Sequence, residues 1–168
     1  MTDIAPVPRL IEHMRTTLDE RLRRQSIQDP AMIGIHTGGV WVARALHEAM
    51  GLETPLGTLD IGFYRDDVGT RGVHPQVRPS NLPFAVDERT VILVDDVLYS
   101  GRTVRAALNE IFDFGRPRRV LLAVLVDRGE RELPIAADAV GQRITLDQGQ
   151  RVKLRGPEPL ELALQDSA

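Results

Sequence analysis

The sequence contains no cysteine, so a disulfide framework and a thiolate-ligated metal site are both excluded. Aromatic residues make up only 4% of the chain, which leaves a core to be built from Leu, Val, Ile and Ala. Lysine is nearly missing: Lys153 is the lone lysine among 21 basic residues. Arginine offers a planar fork for phosphate and carboxylate, but a GC-rich genome gives the same bias, and that plainer account comes first. There is no excess of positive charge. The net charge of -3 argues against a protein that simply coats nucleic acid, while allowing a local basic face. No apolar run approaches the about 18 residues of a membrane helix. The stretch MTDIAPVPRL has no basic region followed by an apolar one, so no signal peptide is expected. These absences point to a soluble cytoplasmic protein. What is present is 168 residues, 42% of them hydrophobic, enough for one domain with a real core.

Periodicity divides the chain into alternating elements. Leu10, Ile11, Met14, Leu18 and Leu22 recur at helical spacing and predict an amphipathic helix over 8–25. AMIGIHTGG (31–39) reads as a buried strand ending in a glycine turn, and VWVARALHEAM (40–50) as a helix with Gly51 just beyond it. LGTLDIGFY (56–64) reads as a second strand. Residues 65–85 mix charge, Gly and Pro without periodicity, and a loop of this length in a compact domain is usually functional, often a lid. TVILVDD (90–96) is the best strand, RTVRAALNEIFDFG (102–115) the best helix, and RVLLAVLVD (119–127) another apolar strand. Short extended pieces follow near 143–146 and 151–155. Strands that are apolar on both faces and alternate with helices imply a parallel sheet covered on both sides.

In open parallel sheets ligands gather at the carboxyl ends of strands. Here those ends carry HTGG, FYRDD, VDDVLYSGRT and VDRGERELP. In the third, Asp95 and Asp96 precede a small-residue loop that meets a helix start. Backbone N–H groups there, with a glycine that permits close approach, make a phosphate cradle. Ser100 and Thr103 can add hydroxyl donors and Arg102 a fork. Two carboxylates would repel a phosphate that they touched, so they must face hydroxyl groups or a magnesium ion. A sugar phosphate satisfies both demands. The P-loop and dinucleotide glycine fingerprints are absent.

The stretch VILVDDVLYSGRT closely resembles the signature of type I phosphoribosyltransferases, which bind phosphoribosyl pyrophosphate (PRPP). With DIGFYRDD, VRAALNEIFDFGRPRRVLLAVLVDRGERELPI and ADAVGQ, the chain resembles the PyrR family of pyrimidine operon regulatory proteins over residues 30–155. Many of its members also have uracil phosphoribosyltransferase activity. The resemblance implies an α/β parallel-sheet type I phosphoribosyltransferase fold. It would be one domain over 1–168, with a mobile loop at 65–85 and a small C-terminal hood at 140–156. It also implies roles. Asp95 and Asp96 bind the ribose hydroxyls, with Mg2+ held indirectly, shared among those hydroxyls, pyrophosphate and water. Val97 leads into Leu98, Tyr99, Ser100, Gly101, Arg102 and Thr103, which wrap the 5'-phosphate. Asp95, Asp96, Tyr99 and Arg102 form the catalytic set. Thr37, Gly38 and Gly39 form the pyrophosphate loop, where the family's pattern is Thr-Arg-Gly. Arg65, Asp66 and Asp67 open the mobile loop, with Asp66 also at the nucleotide. Arg128 contacts the base from the side, and Val152 covers it through its backbone. The hood departs from the family, with RITLD (143–147) in place of NIPTS.

The implied activity is uracil plus PRPP to UMP plus pyrophosphate. Loop closure over the site would exclude water and so prevent hydrolysis of PRPP. A second reading is a UMP- or UTP-sensing RNA-binding regulator of pyrimidine genes with weak or no catalysis, favoured by the missing arginine. If that arginine limits pyrophosphate handling, Gly38→Arg is expected to raise activity. A third reading, a phosphoribosyltransferase for a purine, is disfavoured by Tyr99 where purine enzymes often carry an acid. Leader-RNA binding would need clustered basic residues. Candidates are Arg9, Arg15, Arg21, Arg23, Arg24, Arg116, Arg118, Arg119, Arg151, Lys153 and Arg155. The family implies a homodimer or higher homo-oligomer, with no membrane partner. His13, His36, His47 and His74 are scattered without metal-ligand spacing.

Overall fold

A computed structural model describes residues 2–62 and 80–167. Helix α1 (Val7–Arg24) begins after Pro6 and buries Leu10, Ile11, Met14, Leu18 and Leu22, the predicted apolar stripe. Arg21, Arg23 and Arg24 occupy its last turn, where positive charge suits the helix dipole. Then come β1 (Ala31–Ile35), α2 (Gly38–Met50) and β2 (Gly57–Leu59). Gly51 ends α2 in the left-handed region at φ 61, a conformation glycine adopts without a Cβ penalty. Strand β3 (Thr90–Leu98), helix α3 (Arg102–Phe114), strand β4 (Arg119–Asp127) and strand β5 (Ala139–Arg143) follow. An antiparallel hairpin of β6 (Gln150–Arg155) and β7 (Glu161–Asp166) ends the chain.

The main sheet has the order β2-β1-β3-β4-β5 with every pair parallel. Its strands are apolar on both sides because both sides are covered. Ile92, Val94, Leu121, Ala123 and Leu125 pack with α1 and α2, while Val91, Leu93, Leu122 and Val124 pack with Val104, Ala107 and Ile111 of α3. Alternate residues of β3 and β4 thus serve opposite layers, as the pleat requires.

The structure differs from the sequence reading at three places. Strand β2 is three residues long, and the end of the predicted 56–64 strand lies outside the described residues. The segment 140–156 is divided: Val140 to Arg143 belong to β5 in the main sheet, held by Val124↔Val140 and Asp127↔Arg143 pairing. The stretch GPEPLELAL (156–164) leads into β7, which the sequence reading did not assign. Pro157 and Pro159, which signal a break, sit in the turn between the hairpin strands.

One buried acid faces the α3 side. Glu110 is buried and accepts a hydrogen bond from Ser80 Oγ, which itself accepts from the Asp60 N–H at 3.0 Å. Its Oε2 has no hydrogen-bond partner among the described residues. Burial raises its pKa above the ordinary 4.5; the Ser80 hydrogen bond opposes this, and the charges of Asp60 and Asp113 add to it. A carboxyl with a raised folded pKa binds more protons folded than unfolded, so stability falls as pH rises from 4.5 through the folded value. Glu110→Gln is expected to gain stability relative to the parent across that window, read as denaturation midpoints over a pH series. Parallel curves for the two proteins would refute this account.

Candidate active site

Topology alone marks one place in the sheet. The connection after β1 forms α2 on one face, and the connection after β3 forms α3 on the other. Neighbouring parallel strands whose connections diverge leave a crevice at their carboxyl ends, the usual ligand position for this strand order. The residues bordering that crevice are those after Ile35 and after Val94.

Asp95 is only 6% exposed. Its Oδ1 accepts from the Asp96 N–H at 2.9 Å, and Asp96 Oδ1 accepts from the Val97 N–H at 2.9 Å. Each carboxylate is thereby oriented by the next backbone amide. Asp96 lies against the start of α2: a Cβ added to Gly38 would sit 2.3 Å from its Oδ2. A Cβ on Gly39 would sit 2.7 Å from the Val94 carbonyl oxygen. Glycine at both positions lets the N-terminus of α2 close onto the end of β3. Gly38 therefore comes together with Asp96 and Gly39 with Asp95, and Thr37 precedes them as the N-cap residue of α2. The His36–Thr37 peptide is cis. A side chain at position 38 would meet the Asp96 carboxylate, which must shift to admit the arginine of Gly38→Arg.

Asp95 also borders a cleft of about 70 Å³, whose walls include Leu98, Tyr99, Ser100, Gly101 and Thr103. Gly101 caps α3 at φ 94, and its carbonyl accepts from the Arg105 N–H at 3.0 Å. No acidic residue lies in the first turn of α3, so nothing within the helix offsets the positive end of its dipole. Ser100 Oγ accepts from the Arg102 N–H at 3.2 Å. The Arg102 side chain is not part of the cleft lining. Its Nε meets Glu132 Oε2 at 2.8 Å on an exposed surface, so the fork read from sequence is engaged outward here.

Tyr99 and Arg128 carry separate roles in the sequence reading, yet they form one stack. The Arg128 guanidinium lies 4.0 Å from the Tyr99 ring centroid, close enough for a cation–π contact. Arg128 also reaches Glu130 at 2.7 Å, and its N–H donates to the Leu98 carbonyl at 3.0 Å. Val152 is half-buried in β6 and packs against the same apolar cluster as Val97. Strand β6 touches β3, which sets the hairpin beside the end of the acid-bearing strand. Arg65, Asp66 and Asp67 lie outside the described residues, as does most of the 65–85 loop.

Asp127 and Arg131 have no role in the sequence reading. Asp127 is 8% exposed and accepts from Arg131 at 2.8 Å and from the Gly129 N–H at 2.9 Å. Burial pushes its pKa up, but those two hydrogen bonds and the charges of Arg131 and Arg143 outweigh burial and hold it below the ordinary value. The aspartate and arginine stand four residues apart just after an apolar strand, which is the one local signal available.

Among the described residues no three His, Cys, Asp or Glu side chains converge as a metal cage. Adjacent Asp95 and Asp96 offer hard oxygen donors instead. They suit Mg2+, which keeps water and substrate oxygens as most of its ligands.

The chain matches the family described as Phosphoribosyl transferase domain over residues 2–154. It is 57% identical to the Bifunctional protein PyrR of Pseudomonas syringae pv. tomato, covering 94% of this chain and 92% of that protein. The chain belongs to the PyrR family. The Bifunctional protein PyrR of Nitrosococcus oceani is 56% identical, over 93% of this chain and 89% of its own length. Among solved structures, a hypoxanthine-guanine phosphoribosyltransferase from Bacillus anthracis superposes with TM-score 0.67 at 19% identity, covering 86% of this chain and 83% of that one. At that identity the likeness establishes the phosphoribosyltransferase fold of this PyrR-family chain. The divergent TGG loop and the RITLD segment therefore stand within an intact family framework.

Proposed function

We propose that this protein transfers the phosphoribosyl group of PRPP to uracil, giving UMP and pyrophosphate, and that it also regulates pyrimidine-synthesis genes. The observation that carries the reading is one crevice with two unlike sides. Asp95 and Asp96 stand beside the Thr37–Gly39 loop, and the Ser100–Thr103 helix start lies next to them. A 5'-phosphate fits the N–H-rich cradle, and the ribose diol fits the carboxylates. The pyrophosphate then extends toward Thr37 and Gly38.

In the reaction the C1–oxygen bond to pyrophosphate breaks and its electron pair leaves with pyrophosphate. Uracil N1 supplies the pair for the new C1–N bond, and its proton passes to water. Asp95 and Asp96, being anionic, stabilise the positive charge that develops on the ribose. Mg2+, when bound with PRPP, neutralises charge on the departing pyrophosphate. Arg128, stacked on Tyr99, is assigned the contact with the side of the base, and Val152 of the hairpin its cover.

Regulation is supported by family membership and by the placement of basic residues. Arg119 Nη1 donates to Gln25 Oε1 at 2.7 Å, joining the start of β4 to the end of α1. Arg89, Arg118 and Arg119 line a cleft of about 380 Å³ there, with Asp29 and Glu88 also in its wall. Arg151, Lys153 and Arg155 are exposed on alternate positions of β6, hence on one face. No described helix is long and apolar enough to cross a membrane. The test is formation of labelled UMP from labelled uracil and PRPP with magnesium. Turnover supports the enzyme reading. Tight UMP binding without turnover would leave the regulator alone.

A further inference from the structure

The chain places three donors behind the phosphate cradle. Arg131 Nη1 donates to the Tyr99 carbonyl at 2.9 Å. The N–H groups of Glu132 and Leu133 both donate to the Ser100 carbonyl, at 2.9 and 3.0 Å. Arg131 is itself fixed on two further sides, by Asp127 Oδ2 at 2.8 Å and by the Ile135 carbonyl at 2.9 Å. Ile135 also packs against Gly101, where an added Cβ would lie 2.9 Å from its Cγ1.

In a trans peptide the carbonyl and the following N–H point in opposite directions. Neither the 99–100 nor the 100–101 peptide is cis. Anchoring the Tyr99 carbonyl therefore aims the Ser100 N–H away from Arg131. Anchoring the Ser100 carbonyl likewise aims the Gly101 N–H away from Glu132 and Leu133. Among the described residues neither N–H meets an acceptor, and both residues line the cleft that Asp95 borders. The guanidinium matters because its planar fork serves three separated acceptors from three different nitrogens, whereas the donors of a lysine all sit on one.

We propose that Arg131 is a positioning residue: without touching the ligand, it holds the Tyr99–Gly101 backbone so that the amides of Ser100 and Gly101 converge on the 5'-phosphate. This inference rests on the proposed function, since it assigns that cleft to a phosphate. It predicts a loss confined to the phosphate-bearing substrate.

The experiment compares the parent with Arg131→Gln and Arg131→Lys in steady-state UMP synthesis, with denaturation midpoints alongside. Losing a charged hydrogen bond to the loop is expected to raise KM for PRPP about tenfold or more in Arg131→Gln. KM for uracil and kcat are expected to stay within about threefold of the parent. Arg131→Lys is expected to show the same selective loss at smaller size, and it carries the test if Arg131→Gln does not fold. An unchanged KM for PRPP overturns the proposal, as does a uniform fall in kcat and both affinities that tracks a lowered midpoint. If the parent makes no UMP, the proposed reaction fails, and calorimetry with UMP and uridine replaces kinetics. Weaker UMP binding in Arg131→Gln with unchanged uridine binding then upholds the positioning role, and equal UMP affinity overturns it. A parent that binds neither PRPP nor UMP overturns both readings.

Discussion

Asp95→Asn and Asp96→Asn are each expected to lower UMP formation by about 10²- to 10³-fold, the usual cost of losing a preorganised electrostatic group. Asparagine keeps the shape and one acceptor oxygen, so the Asp96 and Val97 N–H groups retain their partners. What is lost is the negative charge beside the ribose, where positive charge develops, and an oxygen that can accept from a hydroxyl or share a magnesium ion. The fold is expected to persist. Asp95 is 6% exposed, and replacing a buried charge with a neutral group of the same size removes a desolvation cost rather than adding one. Initial rates at saturating PRPP, beside denaturation midpoints, separate the two effects. Parent-like turnover in both variants would remove the carboxylates from the site.

The sheet and the crevice were legible for one reason. A strand stretch buried on both faces must be apolar, and the runs 31–35 of β1, 91–94 of β3 and 121–126 of β4 are. The first polar residues after them then mark the carboxyl edge, which is why Thr37, Asp95 and Asp96 could be named together. Features set by distant partners were not legible. Arg102 looked like a phosphate fork because it sits in the loop, but Glu132, thirty positions away, engages it on the surface. Arg131 drew no reading because its acceptor, the Tyr99 carbonyl, lies 32 residues earlier. The Tyr99–Arg128 stack likewise joins two loops that only strand pairing brings side by side. Strand β7 was hidden by Pro157 and Pro159, whose break signal is real but belongs to the turn before it. Asp66 cannot be placed, since it falls outside the described residues.

Gly38→Arg is expected to slow the enzyme, opposite to what the family pattern alone suggests. A pattern comparison treats position 38 as a gap in positive charge to be filled. The structure makes it a contact: any Cβ there would fall 2.3 Å from Asp96 Oδ2 and 2.8 Å from its Cγ. The Asp96 carboxylate must then shift, and a shift disturbs the hydrogen bond from the Val97 N–H that orients it at 2.9 Å. A displacement of about 1 Å in a reacting group can cost on the order of 10²-fold. Gly38→Ala separates the two consequences, since it introduces the Cβ without the guanidinium. If the carboxylate contact governs, Gly38→Ala loses most of the activity, and Gly38→Arg recovers no more than part of it through better pyrophosphate binding. The checks are kcat, KM for PRPP and the inhibition constant for pyrophosphate in all three proteins. A Gly38→Arg protein faster than the parent would mean that Asp96 can work from another rotamer, and that the missing arginine is the true limit on rate.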